Sequence, residues 1–219
     1  MQYAGDPVKW CVAKIRSGGQ LGQKRDAVHV VVLAGPNGAG KSTVAPELLR
    51  GALAVKEFVN ADTIAQGLSG FDPDGSALEA GKVMLKRLKY LAGRRENFAF
   101  ETTLASRSFA PWLRGLRQTD YAVHLVFLWL PSPDFAVKRV AERVVMGGHN
   151  VPEETVCRRY NAGLKNLFQL YMPIVSSWQV FDNSQAAGPR LIAYGQERSV
   201  PQVVDGPAWT LIAGRQEDA

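Results

Sequence analysis

The sequence predicts an α/β fold with a doubly wound, mostly parallel sheet, and two observations carry this prediction. The first is the alternation of strand-like and helix-like segments along the chain. The apolar runs Val28–Ala34 and Tyr121–Leu130 are typical of strands that are buried on both faces. The second observation is the segment Gly35–Ser42, a glycine-rich turn between the first of these strands and a helix.

That segment reads G-P-N-G-A-G-K-S and matches the spacing G-x-x-x-x-G-K-S of a phosphate-binding loop, or P-loop. Its glycines let backbone N–H groups converge on phosphate oxygens, and the helix after it adds its positive end. Lys41 is expected to reach the β- and γ-phosphates of ATP, and the Ser42 hydroxyl to bind Mg²⁺. The alternative is a glycine-rich turn without a ligand. The residues expected to bind the nucleotide here are Gly35, Pro36, Asn37, Gly38, Ala39, Gly40, Lys41, Ser42 and Thr43.

The other elements follow from apolar runs and helix end signals. Further strands are expected at Glu57–Asn60, Asn97–Glu101, Gln179–Phe181 and Leu191–Tyr194, and helices at Thr43–Arg50, from Asp62, at Leu78–Leu91, at Ser132–Met146 and at Val151–Tyr171. We expect a single domain over residues 1–219. It would carry an N-terminal extension (1–27) with a short helix at Asp6–Arg16, and a polar C-terminal tail (196–219).

Composition narrows the class of protein. Of the 219 residues, 46% are apolar and 21% are charged, as in a soluble globular protein. The net charge of +6 suits anionic ligands, but no block of five or six basic residues occurs, so nucleic acid is not an expected partner.

Cys11 and Cys157 lie far apart, which indicates free thiols in a reducing compartment. No segment has the pattern of a signal peptide or a membrane span, so we expect a cytoplasmic protein without membrane contact.

A P-loop alone does not separate a kinase from an ATPase, a GTPase or a motor. The guanine-reading segment N-K-x-D of GTPases is absent from the sequence. Asp62 follows the second strand, so it should lie at the same sheet edge as the P-loop. There it could accept the proton of a substrate hydroxyl that attacks the γ-phosphate. The alternative is that Asp62 caps the helix that follows.

Glu101, Thr102 and Thr103 end the third strand at this edge and are candidates for binding the acceptor substrate. A carboxylate followed by two hydroxyls can orient a substrate hydroxyl or hold a metal-bound water. The alternative is an acid paired with a nearby arginine. Arg107 follows within one loop and could reach an anionic part of the substrate, or could be a solvated surface residue.

Four arginines flank the flexible break Gly147–Gly148 and predict a lid over the nucleotide, within residues 133–171. Arg139 and Arg143 share one face of the helix before the break, and Arg158 and Arg159 lie in the helix after it. Arginine pairs with phosphate in bidentate fashion, so closure of such a lid would stabilise charge on the transferring group. The alternative is a helical hairpin with a basic, solvated face.

The segment Phe181–Ser184, which reads F-D-N-S, ends a late strand and could lie beside the adenine of a nucleotide. The alternative is a plain turn, since its residues favour turns. His149 is expected to be a loop residue.

Together the motifs resemble the zeta-toxin family, in particular its short, single-domain bacterial members. They are G-P-N-G-A-G-K-S-T, N-A-D, F-E-T-T-L-A-S-R, R-V-x-x-G-G-H-x-V-P, R-R-Y and F-D-N-S, in this order between Val28 and Tyr194. The resemblance implies a P-loop kinase fold and ATP-dependent phosphorylation of a sugar hydroxyl on UDP-N-acetylglucosamine.

Residue by residue, the resemblance implies that Lys41 and Ser42 contact the phosphates and Mg²⁺, and that Asp62 is the general base. It implies that Glu101 and Thr103 line the substrate pocket. It also implies that Arg143 and one of Arg158 or Arg159, with Arg158 preferred, are lid arginines facing the phosphates. It also implies an antitoxin-like protein inhibitor as a partner.

The expected function is therefore a Mg²⁺- and ATP-dependent kinase that acts on a hydroxyl of a small acceptor, such as a nucleotide sugar. Two alternatives stay open. One is a polynucleotide or RNA kinase, and the other is an ATPase switch without a small-molecule acceptor.

Overall fold

The computed structural model describes residues 28–52, 55–70, 72, 75–197 and 199–215. The N-terminal helix predicted at Asp6–Arg16, together with Cys11, lies outside these residues. Cys157, within them, is a free thiol, as expected.

The described strands form one seven-stranded sheet in the order β2-β3-β1-β4-β5-β6-β7. The strands are β1 Val28–Ala34, β2 Glu57–Val59, β3 Phe98–Thr102, β4 Tyr121–Trp129, β5 Ser177–Asp182, β6 Arg190–Gln196 and β7 Gln202–Val203. β2, β3, β1, β4 and β5 run parallel to one another, and β6 and β7 add antiparallel pairings at one edge. The predicted mostly parallel α/β sheet is confirmed.

Helices connect the parallel strands, and one more helix follows β7. They are α1 Lys41–Ala45, which continues as a wider π-helical segment Pro46–Ala52, α2 Ala61–Leu68, α3 Ala77–Gly93, α4 Phe109–Gln118, α5 Pro133–Val145, α6 Glu153–Asn166, which continues through Leu167–Tyr171 and Met172–Ile174, and α7 Gly206–Arg215. Ser132 caps α5 by accepting a hydrogen bond from the Phe135 N–H at 3.0 Å, with Pro133 in the first turn, as predicted. None of the described helices is long and apolar enough to cross a membrane.

Helix α4 is the one described connection between parallel strands that the sequence analysis did not predict. Its apolar residues Phe109, Trp112, Leu113 and Leu116 recur at helical spacing, but Pro111 and Gly115 interrupt the pattern. Pro111 is tolerated because it lies in the first turn, where its missing N–H has no helical partner to lose. Aromatic contacts fix the helix on β3: the Phe109 ring lies 5.1 Å from that of Phe100.

The C-terminal segment, expected as a polar tail, carries β7 and α7. Trp209 of α7 stacks on Trp178 of β5, with ring centroids 5.8 Å apart and planes 8° apart. Ile212 is fully buried. Gly195 of β6 makes room for this stack, because a Cβ atom there would lie 2.5 Å from the Trp178 ring.

Two histidines and a serine form a hydrogen-bonded row across β1, β4 and β5. His29 Nδ1 lies 3.0 Å from His124 Nε2, and His124 Nδ1 lies 2.8 Å from Ser177 Oγ. Burial, and secondarily the neighbouring His29, lowers the pKa of His124 to about 3, while burial lowers the pKa of His29. Both imidazoles are therefore neutral in the folded protein near neutral pH.

This row predicts that acid destabilises the fold. Because the pKa of His124 is lower in the folded than in the unfolded chain, its contribution is complete above about pH 6.5 and is lost as the pH falls towards 3. We expect the free energy of unfolding, measured in urea, to fall by about 2 kcal/mol between pH 7.5 and pH 5. His124→Asn should flatten this dependence. An equally steep dependence in the variant would show that other groups cause it.

Candidate active site

The P-loop follows β1 in a conformation that requires its glycines. Gly35 has φ +144° and Gly40 has φ +78°, in the region that favours glycine. A Cβ atom on Gly35 would lie 2.3 Å from the Leu128 carbonyl oxygen, and one on Gly40 would lie 2.8 Å from Asn183 Nδ2. Helix α1 begins at Lys41 without a side-chain cap, which leaves its first N–H groups available to phosphate oxygens.

Two neighbouring strands hold the loop in place. The Gly35 N–H donates to the Thr102 carbonyl at the end of β3, at 3.2 Å. Asn183, directly after β5, donates through Nδ2 to the Ala39 carbonyl at 2.7 Å and is 7% exposed. The F-D-N-S segment therefore lies against the P-loop and is more than a turn.

Lys41 is folded back on the loop. Its Nζ donates to the carbonyl oxygens of Gly35 and Pro36, both at 2.9 Å, and lies 3.5 Å from Glu101 Oε1. Burial lowers the pKa of Lys41, and the carboxylates of Glu101 and Asp62 offset part of this effect. The charge of Asp62 therefore acts on Lys41, the lysine that is expected to bind the γ-phosphate.

Glu101 is the shared acceptor of the site. Its Oε2 accepts a hydrogen bond from Ser42 Oγ at 2.9 Å and another from Asn60 Nδ2 at 2.8 Å. The sequence left open a pairing of Glu101 with an arginine. Its partners in the described part of the chain are instead Ser42, Asn60 and Lys41.

Asn60, not Asp62, caps helix α2. The Asn60 side-chain oxygen accepts hydrogen bonds from the N–H groups of Asp62 at 2.7 Å and Thr63 at 3.3 Å. The carboxylate of Asp62 is thus not used as the helix cap. It is exposed and lines the cleft beside the P-loop.

The cleft has a volume of about 450 Å³ and opens between the P-loop, α2, α3, the end of β3, the start of α4 and the middle of α6. Its polar lining residues include Asn37, Lys41, Asn60, Asp62, Gln66, Lys82, Glu101, Thr102, Thr103, His149 and Arg159, and its apolar ones include Ala61, Ala65, Leu78, Met84, Leu85 and Phe109. The structure therefore brings together Lys41, Asp62 and the Glu101–Thr103 segment, which are far apart in sequence.

The four lid arginines take different positions. Arg143 is the one of the four whose charge contributes to lowering the pKa of Lys41, after the larger effect of burial. Its Nη2 donates to the His149 carbonyl at 2.6 Å, while its buried Nε has no hydrogen-bond partner among the described residues. Arg139 lies along the P-loop, because a Cβ atom on Gly38 would be 2.9 Å from the Arg139 Cβ.

Arg159 is half-buried and lines the cleft, whereas Arg158 is exposed and outside the lining. Arg107 is also exposed and outside the lining, although its neighbours Ser106 and Ser108 belong to it. The structure thus brings Arg159 into contact with the cleft and leaves Arg107 and Arg158 at the surface.

The donor set next to the P-loop fits Mg²⁺. The Ser42 hydroxyl and the Glu101 carboxylate, already 2.9 Å apart, supply the oxygen ligands that this ion prefers. No group of three or more acidic, histidine or cysteine residues that could hold a metal by themselves occurs in the described ranges. That agrees with Mg²⁺ sites in which substrate phosphates and water complete the coordination.

Asn60 and Asn183 make hydrogen bonds in the site that the sequence analysis did not predict. Asn60 had a local signal, since asparagine directly before a helix is a preferred cap. Asn183 belonged to a quoted motif, but its partner Ala39 is 144 positions away in sequence, so no local pattern could reveal the contact.

Comparisons with known proteins agree with this geometry. A family model described as AAA domain matches residues 30–166. A curated relative, an uncharacterized protein from Haemophilus influenzae, is 25% identical over 130 residues, which cover 59% of this chain and 91% of that protein.

Among solved structures, the AvrRxo1-ORF1:AvrRxo1-ORF2 complex determined with ATP matches with a TM-score of 0.65 and 14% identity, over 95% of this chain and 70% of that one. A structure of the PezAT chromosomal toxin–antitoxin system of Streptococcus pneumoniae matches with a TM-score of 0.57 and 13% identity, over 100% of this chain and 98% of that one. At these identities the likeness concerns the fold, and it confirms the predicted zeta-toxin-like P-loop kinase fold. Because the family model covers more than half of its 219 residues, the chain belongs to the AAA domain family.

Proposed function

We propose that the protein is an ATP-dependent kinase that transfers the γ-phosphate to a hydroxyl of a small acceptor bound in the cleft. One observation carries this proposal: Lys41 and Asp62 line the same cleft. The cleft volume, about 450 Å³, lies within the range of small-molecule sites.

In this proposal the P-loop amides and Lys41 bind the β- and γ-phosphates. Lys41 would leave the carbonyl oxygens of Gly35 and Pro36 for phosphate oxygens, which are stronger acceptors because they are charged. Arg143, whose buried Nε has no partner in the described part of the chain, is suited to stabilise charge on the transferring phosphoryl group. Arg139 would lie along the nucleotide, and the role predicted for Arg158 stays a prediction.

Ser42 and Glu101 would hold Mg²⁺, which neutralises negative charge on the phosphates when it is bound. Glu101 keeps the Ser42 hydroxyl oriented through their 2.9 Å hydrogen bond. The same Glu101 oxygen also accepts a hydrogen bond from Asn60, which caps the helix that carries Asp62. Glu101 therefore links the proposed metal ligands to that helix.

The proposed reaction uses these residues as follows. The acceptor hydroxyl oxygen attacks the γ-phosphorus, its proton passes to the Asp62 carboxylate, and the bond from the γ-phosphorus to the bridging oxygen of ADP breaks. The products are the phosphorylated acceptor, ADP and a proton. Thr102 and Thr103 line the cleft beside Glu101 and can orient the hydroxyl.

For the acceptor we propose a nucleotide sugar such as UDP-N-acetylglucosamine. The resemblance to the zeta-toxin family, together with the likeness in fold to the PezAT structure, supports this choice. The same likenesses, to PezAT and to AvrRxo1-ORF1:AvrRxo1-ORF2, support an antitoxin-like protein inhibitor as a partner.

Asp62→Asn tests the general base. We expect turnover with ATP and UDP-N-acetylglucosamine to fall by at least about a hundredfold, because the amide cannot accept the hydroxyl proton. ATP affinity, measured by isothermal titration, should be unchanged.

The matched control for this test is Asp134→Asn. Asp134, like Asp62, is an exposed aspartate in the first turn of a helix that another residue caps, but it lies outside the cleft lining. We expect this control to keep full turnover. Normal transfer by Asp62→Asn would remove Asp62 from the base role.

Asn60 is expected to position both Asp62 and Glu101. Asn60→Ala should lower the free energy of unfolding by about 2 kcal/mol, since it removes a helix cap and a hydrogen bond to a half-buried carboxylate. Asn60→Ser separates the two effects, because serine keeps the cap but cannot reach Glu101 with an amide. We expect Asn60→Ser to recover stability but to keep a reduced kcat. Wild-type kcat in the serine variant would show that Asn60 serves the helix alone.

A further inference from the structure

Asn37 and Lys41 are the two residues of the P-loop, Gly35–Ser42, that line the cleft. Their positions are linked through Pro36. Lys41 Nζ donates to the Pro36 carbonyl at 2.9 Å, and this carbonyl belongs to the peptide group that joins Pro36 to Asn37. The backbone of Asn37 therefore lies beside the ammonium that is expected to bind the γ-phosphate.

The side-chain amide of Asn37 makes no hydrogen bond with another described residue. The residue is 7% exposed, and its Oδ1 is buried without a donor. A buried carbonyl oxygen that lacks a donor is destabilising, and an apolar side chain of similar shape would avoid this cost. The fold alone therefore disfavours asparagine at this position.

No backbone or capping role in the described P-loop accounts for Asn37 either. Its φ lies outside the left-handed region, in which asparagine is tolerated better than most residues. Helix α1, which follows the loop, has no side-chain cap. The remaining explanation for asparagine at this position is a ligand in the cleft.

The accessible atom of this amide indicates which part of the ligand it binds. Oδ1 is buried, so a ligand in the cleft meets Nδ2, which is a hydrogen-bond donor. Phosphate oxygens are the strongest acceptors that the proposed substrates offer, because they are charged. Lys41, the neighbour of Asn37 in the cleft lining, is expected to hold the γ-phosphate of ATP at this place.

We infer that Asn37 binds the γ-phosphate of ATP through a hydrogen bond donated by its side-chain Nδ2. ADP lacks this group, so the contact makes the site prefer ATP to ADP. This inference rests on the proposed function and adds to it a second P-loop side chain, besides Lys41, that contacts the transferred group. The sequence analysis had assigned Asn37 to the nucleotide as part of a loop that binds phosphate through its backbone N–H groups.

Nucleotide binding tests this contact without any acceptor. Calorimetry in the presence of Mg²⁺ compares ADP with β,γ-methylene-ATP, an ATP analogue that carries a γ-phosphate but cannot transfer it. Asn37→Ala should weaken binding of the analogue by about tenfold, the effect of one hydrogen bond to a charged group, and leave binding of ADP unchanged. Asn37→Asp should weaken binding of the analogue further, because its carboxylate repels the γ-phosphate.

Asn37→Leu separates this role from a structural one. Leucine has a similar branched shape and no polar atom, so we expect the free energy of unfolding, measured in urea without nucleotide, to stay the same or rise. This variant should lose affinity for the analogue as Asn37→Ala does. Asn97→Ala is the matched control, because Asn97 lies directly before β3 and outside the cleft lining. It should leave both affinities unchanged.

The inference is overturned if the Asn37 variants weaken binding of ADP and of the analogue equally, or weaken neither. It is also overturned if nucleotide binding is unchanged and the KM of the acceptor rises instead, since Asn37 would then contact the acceptor. A fall in stability together with a loss of ADP affinity would assign Asn37 to the structure of the loop.

The same measurements distinguish this inference from the proposed function. A selective loss of the analogue in a protein that phosphorylates no acceptor would support the γ-phosphate contact and contradict the kinase proposal. If the wild-type protein binds neither nucleotide, both are wrong.

Discussion

The site depends on the carboxylate of Glu101, which three side chains from two other segments of the chain contact. Glu101 Oε2 accepts hydrogen bonds from Ser42 at the start of α1 and from Asn60 at the start of α2, while Oε1 lies 3.5 Å from the Lys41 ammonium. A half-buried carboxylate is costly unless such donors surround it, so removal of any of them affects the others. The metal-binding hydroxyl, the phosphate-binding lysine and the helix that carries Asp62 are therefore held in one arrangement.

Sheet topology explains why these groups meet. In the parallel pairing of β1 and β3, Leu33 lies beside Glu101 and Ala34 beside Thr102, which places Glu101 where the P-loop begins. β2 pairs with the other side of β3, so Asn60, directly after β2, reaches the same edge. Asn183 arrives at this edge after β5. Parallel strands bring their carboxyl ends to one side of the sheet, which is where α/β folds bind ligands.

Much of this could be predicted from the sequence because the signals are local. The P-loop has a fixed spacing, the central strands are uninterrupted apolar runs, and Ser132–Pro133 is a helix start that neighbouring residues alone specify. Helix α4 was missed because Pro111 and Gly115 interrupt its apolar spacing, although contacts with β3 stabilise it.

Contacts between distant segments could not be predicted in this way. The hydrogen bond from Asn60 to Glu101 spans 41 positions, and no pattern around Asn60 shows its second partner. The same holds for the lid arginines. Arg158 and Arg159 are adjacent in sequence, and the rotation of α6 against the cleft decides that Arg159 lines it.

The most direct test of the central claim, that the cleft beside the P-loop positions a hydroxyl for phosphorylation, is a transfer assay with ATP labelled in the γ-phosphate. The purified protein is incubated with Mg²⁺ and a panel of nucleotide sugars and other hydroxyl-bearing metabolites, and labelled products are separated from inorganic phosphate. We expect the label on a hydroxyl of one acceptor class, at a rate that depends on acceptor concentration. Label found only in inorganic phosphate, released at a rate that no acceptor changes, would contradict the claim.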